Sequence, residues 1–152
     1  MKIKILIVTL LASVFFQSIT IAQQDKTKKE GIFLTINNIR NKTGLMRIGV
    51  FMDEKGYPDS PAMGFSLAKD TIKNNRLRIF IPLAEQGSIA ISVLDDENAN
   101  GKMDFIFGIM PKEGFGFSNN PPVRSRKAPP FSITSFVFKG GNSSVTVDMK
   151  YI

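Results

Sequence analysis

From Gly31 onward, apolar residues recur at every second position rather than every third or fourth. Ile32, Leu34 and Ile36 alternate with Phe33 and Thr35; Leu77, Ile79 and Ile81 alternate with Arg76, Arg78 and Phe80. Ile89, Ile91 and Val93 alternate with Ala90, Ser92 and Leu94, and Val145, Val147, Met149 and Tyr151 with Thr146, Asp148 and Lys150. A strand with this pattern lays one face on a core and turns the other to water or to a second layer. Met46–Met52 and Ile133–Phe138 are two further strand candidates. Breaks rich in Asn, Gly and Pro separate the runs at Asn41–Gly44, Lys55–Pro58, Asn74-Asn75 and Gly140–Asn142. The pattern predicts an all-β fold, an antiparallel β-sandwich of about seven strands, immunoglobulin-like or transthyretin-like. Helical character around Phe65 and Leu67 predicts at most a single turn within Pro61–Asp70. Residues 95–130 form a long stretch of low regularity, the kind of segment that carries function or is disordered.

The amino terminus has a different pattern. Lys2 and Lys4 precede an uncharged run from Ile5 to Phe16, and Thr20-Ile21-Ala22 follows. A charged start, a short apolar stretch and small residues before a cleavage point are the parts of an export signal. The apolar run is shorter than the roughly 20 residues a bilayer span needs. Residues 1–22 therefore read as a signal peptide, 23–30 as a flexible lead-in, and 31–152 as a single β-sandwich domain. The expected location is periplasmic, outer-envelope associated or secreted. The processed chain is expected not to be an integral membrane protein.

Composition removes several chemistries. The 152 residues contain no Cys and no His. Disulfides, thiolate metal sites, a lipid-bearing Cys, His-based triads and His-type zinc sites are excluded. The formal charge is +7, and losing Lys2 and Lys4 with the leader leaves about +5. The positive residues are scattered, with small clusters at Lys26–Lys29 and Arg124–Lys127. No basic face interleaved with aromatic residues supports nucleic-acid binding.

The most distinctive segment runs from Asp95 to Asp104. Counted from Asp96, oxygen-bearing side chains fall at positions 1, 3, 5 and 9, with Gly101 at position 6. Hard cations such as calcium take six to eight oxygen ligands. Asp96, Asn98, Asn100 and Asp104, with the Lys102 carbonyl, are the candidate metal ligands; Glu97, Glu113 or Asp95 would complete the shell. The match to the helix–loop–helix calcium pattern is partial, because position 12 is Phe107 rather than a bidentate Glu. A metal-free network of Asx turns explains many of the same residues.

Downstream, three Gly and three Pro residues punctuate Phe105–Pro122. One reading is a loop folded over the open end of the sandwich, with Phe105, Phe107 and Phe115 plugging the core. The other is a ligand surface, with Phe115 and Phe117 as its apolar face and Glu113, Ser118, Asn119 and Asn120 as its polar groups. The Gly spacing lacks the Gly-Lys-Ser/Thr ending of a phosphate loop.

The succession Asp96-Glu97-Asn98-x-Asn100-Gly101-Lys102-x-Asp104, followed by Gly108-x-x-Pro111-Lys112-Glu113-Gly114-x-Gly116-Phe117-Ser118-Asn119-Asn120, resembles the signature of the DUF2141 family of exported bacterial proteins. The resemblance extends from about Gly31 to the end. Leu94 stands where His is often found, and Ala99 where Gly is common. The family implies no activity, so function rests on the site. Three readings follow. The first is a non-enzymatic envelope or secreted module that presents 95–120 as a cation-stabilised surface to a protein or glycan partner. The second is a purely structural protein-interaction domain. The third, ranked last, is a glycoside hydrolase using two of Asp95, Asp96, Asp104 and Glu113.

Overall fold

The computed structural model describes residues 29–123 and 127–152. The expected export signal, most of the lead-in and most of the Arg124–Lys127 cluster lie outside the described residues. Ten strands and one short helix follow in chain order: β1 (Gly31–Asn37), β2 (Leu45–Phe51), β3 (Met63–Ala68), β4 (Leu77–Pro82), β5 (Gly87–Asp96), β6 (Phe105–Ile106), β7 (Met110–Pro111), β8 (Gly114–Phe117), α1 (Phe131–Thr134), β9 (Phe136–Phe138) and β10 (Asn142–Asp148). The protein is all-β. One sheet has the order β10-β1-β4, a larger one runs β3-β2-β5-β8 with β9 also on β5, and β6-β7 form a small hairpin.

The alternation read from the sequence accounts for the core. Ile32, Leu34 and Ile36 of β1, Ile81 of β4 and Val147 of β10 meet Met46, Ile48 and Val50 of β2 and Ile89, Ile91 and Val93 of β5 in one buried cluster. Pairing is antiparallel except between β1 and β10, which run parallel from Gly31↔Asn142 to Asn37↔Asp148. The purely antiparallel expectation is corrected at this point. Parallel neighbours require a long crossover, and nearly the whole domain lies between these two strands.

Three local expectations also change. Within Pro61–Asp70, Met63–Ala68 forms β3 instead of a helical turn. Phe65 and Leu67 are two residues apart, which places both on one strand face, and β3 pairs with β2 from Leu45↔Ala68 to Val50↔Met63. The Ile133–Phe138 segment divides into α1 and β9. The Thr134 hydroxyl lies 3.3 Å from the Pro130 carbonyl and 3.2 Å from that of Phe131, closing a turn before the strand begins. The irregular 95–130 stretch contains β6, β7 and β8. Among the described residues, no helix is long and apolar enough to cross a membrane.

Candidate functional site

Successive residues on a strand point to opposite faces, so Asp95 and Asp96 at the end of β5 go separate ways. Asp95 turns inward. It forms a fully buried ion pair with Lys69 and accepts a hydrogen bond from the Tyr151 hydroxyl at 2.7 Å. Lys69 also donates to the Asn41 side-chain oxygen at 3.0 Å and the Thr43 carbonyl at 2.7 Å. Burial, then the bond to Asp95, pushes the Tyr151 hydroxyl well above its ordinary value.

Asp96 turns outward to Arg47, with which it is ion-paired. Its other bonds come from the Asn100 amide at 3.0 Å and the Gly101 amide at 2.9 Å. Burial opposes the charge on Asp96, but these donors outweigh it and hold the carboxyl below its usual value. Glu97 takes two bonds from Arg40, at 2.6 and 2.9 Å, and one from Asn41 at 2.8 Å. The Arg40 bond is the main reason its carboxyl is also lowered. Arg40 itself lies 4.5 Å from the Tyr151 ring centroid, a cation–π distance.

The loop beyond closes on itself. The Asn98 side-chain oxygen accepts from the Asn100 amide at 3.1 Å, and the Asn100 oxygen accepts from the Lys102 amide at 2.9 Å. The two Asn side-chain nitrogens converge on one oxygen of Asp104, at 2.7 and 2.9 Å. Buried Glu113 ties the loop's two ends, accepting from the Glu97 amide at 3.0 Å and the Asp104 amide at 3.1 Å. The side chains of Asn98, Asn100 and Asp104 are thus brought together, while the Asp96 carboxylate binds the loop's Asn100 and Gly101 amides and has Arg47 as its counter-charge. Among the described residues, no group of three or more acids is placed to hold a metal ion.

The second candidate set divides between support and exposure. Ser118 is buried; its hydroxyl accepts from the Ile91 amide at 2.9 Å and donates to the Thr134 carbonyl at 2.5 Å. Asn119 donates to the Ile133 and Ser135 carbonyls at 3.1 and 2.8 Å. Asn120 donates to the Thr146 carbonyl at 3.0 Å and accepts from the Asp148 amide at 2.8 Å. These side chains fasten the segment after β8 to α1 and β10. Glu113 faces its own loop and Asn119, though exposed, is tied to α1, so Phe115 and Phe117 are the members of the set that line the cleft on the outer face of the larger sheet. The expected core plugs also part company. Phe115 is buried, whereas Phe105 is 40% and Phe107 95% exposed, because they lie on the projecting β6–β7 hairpin.

The outer face of the larger sheet forms a feature that the sequence reading missed. The pairings Arg47↔Ser66, Gly49↔Gly64, Gly49↔Ser92, Arg47↔Leu94 and Leu94↔Phe115 place these residues across from one another on one face. A cleft of about 800 Å³ lies over them. Gly49, Gly64 and Ser92 make a low floor; Phe115, Phe117 and Phe105 supply aromatic walls; Lys102 and Arg47 bring positive charge. A side chain begun at Gly64 would have only Pro61 within reach, at 4.0 Å. Asp59 is the one acid among the lining residues, so none of the four carboxylates considered for glycoside hydrolysis borders this space. The small residues 49, 64 and 92 come from three strands, and only the register shows that they align.

With this geometry in place, comparison with known proteins adds a family. The group described as "Uncharacterized protein conserved in bacteria (DUF2141)" matches residues 34–146, well over half of the chain. The chain belongs to the DUF2141 family. No curated protein and no solved structure matches it. The DUF2141 match spans β2, β5 and β8, the strands beneath the cleft, and the whole Asp95–Asp104 loop.

Proposed function

We propose that this DUF2141 protein is an exported, non-enzymatic binding module, an immunoglobulin-like or transthyretin-like β-sandwich that holds a partner in the cleft on its larger sheet. The observation that carries this reading is the cleft itself: about 800 Å³ above a floor of Gly49, Gly64 and Ser92, walled by Phe115 and Phe117. Ligand sites are typically concave, largely apolar, and supplied with a few polar or charged groups. The open trough suits a protein segment or a glycan of the envelope or extracellular space. Its aromatic walls would take an apolar face, and Lys102 and Arg47 would favour an anionic or hydrogen-bonding edge. Gly64→Leu fills the trough without meeting backbone and is the variant that tests this role.

A non-enzymatic reading is supported by the commitment of Asp95, Asp96, Glu97 and Glu113 to partners within the protein. Calcium enters the proposal as a ligand of the loop's outer part. Rotating the Asn98 and Asn100 amides would turn their oxygens towards the side where Asp104 lies, and the Lys102 carbonyl would add another. Asp96 would remain with Arg47. Extracellular calcium modules of this weak kind bind at about 10⁻⁴–10⁻³ M. The expected result is a higher melting temperature at millimolar calcium than in chelator, with the difference abolished by Asp104→Asn. Identical melts would remove calcium from the account and leave the Asx-turn network as the loop's whole explanation.

A further inference from the structure

Among the described residues nine large apolar side chains are exposed, and five of them lie in one hairpin: Phe105, Ile106, Phe107, Ile109 and Met110. Phe107 is 95% and Ile109 68% exposed. Monomeric proteins rarely leave so concentrated an apolar patch uncovered without an interaction to serve. Strands β6 and β7 pair at Phe105↔Pro111 and Ile106↔Met110, and the Ile109 amide donates to the Ile106 carbonyl at 3.2 Å. Phe107 and Gly108, at the tip, have φ values of 52° and 70°. Gly suits such a left-handed position, and Asn or Asp tolerates it; a bulky aromatic residue there is strained. The hairpin therefore keeps a large apolar group at its point against local preference, a pattern associated with functional sites.

We propose that this hairpin is a membrane-contact finger, whose tip enters the interfacial layer of an anionic lipid surface. Three observations favour lipid over a protein groove. The tip is open to solvent, with Phe107 almost fully exposed. No side chain from Phe105 to Met110 offers a hydrogen bond, and lipid tails require none. Exposed Lys102 and Lys112 stand at the two feet of the hairpin, on a chain whose net charge is about +5 once Lys2 and Lys4 are lost with the leader. Apolar residues inserted at headgroup level with lysines drawn to anionic lipid is the combination that interfacial anchors use. The finger shares Phe105, Pro111 and Lys102 with the rim of the cleft, but Phe107 and Ile109 at its tip lie outside the cleft lining, so the tip would tether the module while the cleft engages its partner.

The test uses the chain from Gln23, which retains every described strand and lacks the apolar run Ile5–Phe16 that would itself partition into lipid. Sedimentation with phosphatidylcholine–phosphatidylglycerol vesicles should capture the protein, and pure phosphatidylcholine should capture less. Phe107→Asn combined with Ile109→Ser should weaken vesicle binding by about tenfold or more. Lys102→Gln and Lys112→Gln should each cost about fivefold on anionic vesicles and reduce the salt dependence. Phe107→Asn alone should keep or raise the melting temperature, because Asn accepts the left-handed conformation; lost binding then cannot be blamed on unfolding. Vesicle binding that survives the double substitution would overturn the proposal. So would an absence of binding to anionic vesicles; if self-association that Phe107→Asn abolishes accompanies it, the finger is assigned to a second copy of the chain.

Discussion

At the scale of single residues, the least expected feature is Lys69. Its side chain is fully buried, and its ammonium group is enclosed by Asp95, Asn41 and the Thr43 carbonyl. A buried ion pair is costly to form and costlier to break from one side, because the remaining charge has no solvent. Lys69→Met should therefore lower the unfolding free energy by about 3–5 kcal/mol in urea titrations. Adding Asp95→Leu should recover much of that loss, since both charges then leave together. A single variant as stable as the wild type would show that the pair contributes nothing. No local pattern announces this contact: Lys69 and Asp95 are 26 residues apart, and Tyr151 reaches Asp95 across 56. Ala99 is different. The family resemblance marks it as a position where Gly is common, and its φ of 57° gives the physical reason.

At the scale of elements, the Asp95–Asp104 loop is a handle fixed to the sheet by ion pairs. Asp96 and Glu97 both titrate below their ordinary values of 3.8 and 4.5 in the folded protein. A depressed carboxylate stabilises the fold above its unfolded value, and that stability is lost as pH falls through the lower folded value. Melting temperature should therefore decline from about pH 5 downward. Arg47→Gln should flatten the decline, because without the guanidinium Asp96 loses much of its reason to stay ionised. An unchanged slope in that variant would show that Arg47 does not set the charge of Asp96.

The loop was partly legible in the sequence. Alternating oxygens and Gly101 marked a tight, polar turn, and the structure brings Asn98, Asn100 and Asp104 together. Asp96 could not be placed, because its partner Arg47 lies on another strand. The same limit explains β3, where Phe65 and Leu67 read equally as a turn of helix until β2 is beside them. It also explains the hairpin. Phe105 and Phe107 look like core residues by composition, and only their projection from the sheet shows otherwise.

At the scale of the whole molecule, the alternation of apolar residues predicted the core-facing side of both sheets. What it could not predict was the opposite side of the larger sheet. Gly49, Gly64 and Ser92 are unremarkable in sequence, yet register aligns them into one floor, and β8 stands Phe115 and Phe117 at its edge. The cleft and the apolar finger lie close together, since Phe105 and Pro111 belong to the hairpin and also border the cleft. Function is therefore expected on this face, with the polar network beneath the loop acting as its support. The most direct measurement is a fluorescence titration with anilinonaphthalene sulfonate, a probe with an apolar body and one anionic group. The account predicts saturable binding to the wild type, about tenfold weaker binding to Gly64→Leu, and little change in Phe107→Asn. Equal binding to the wild type and Gly64→Leu, both folded, would contradict it.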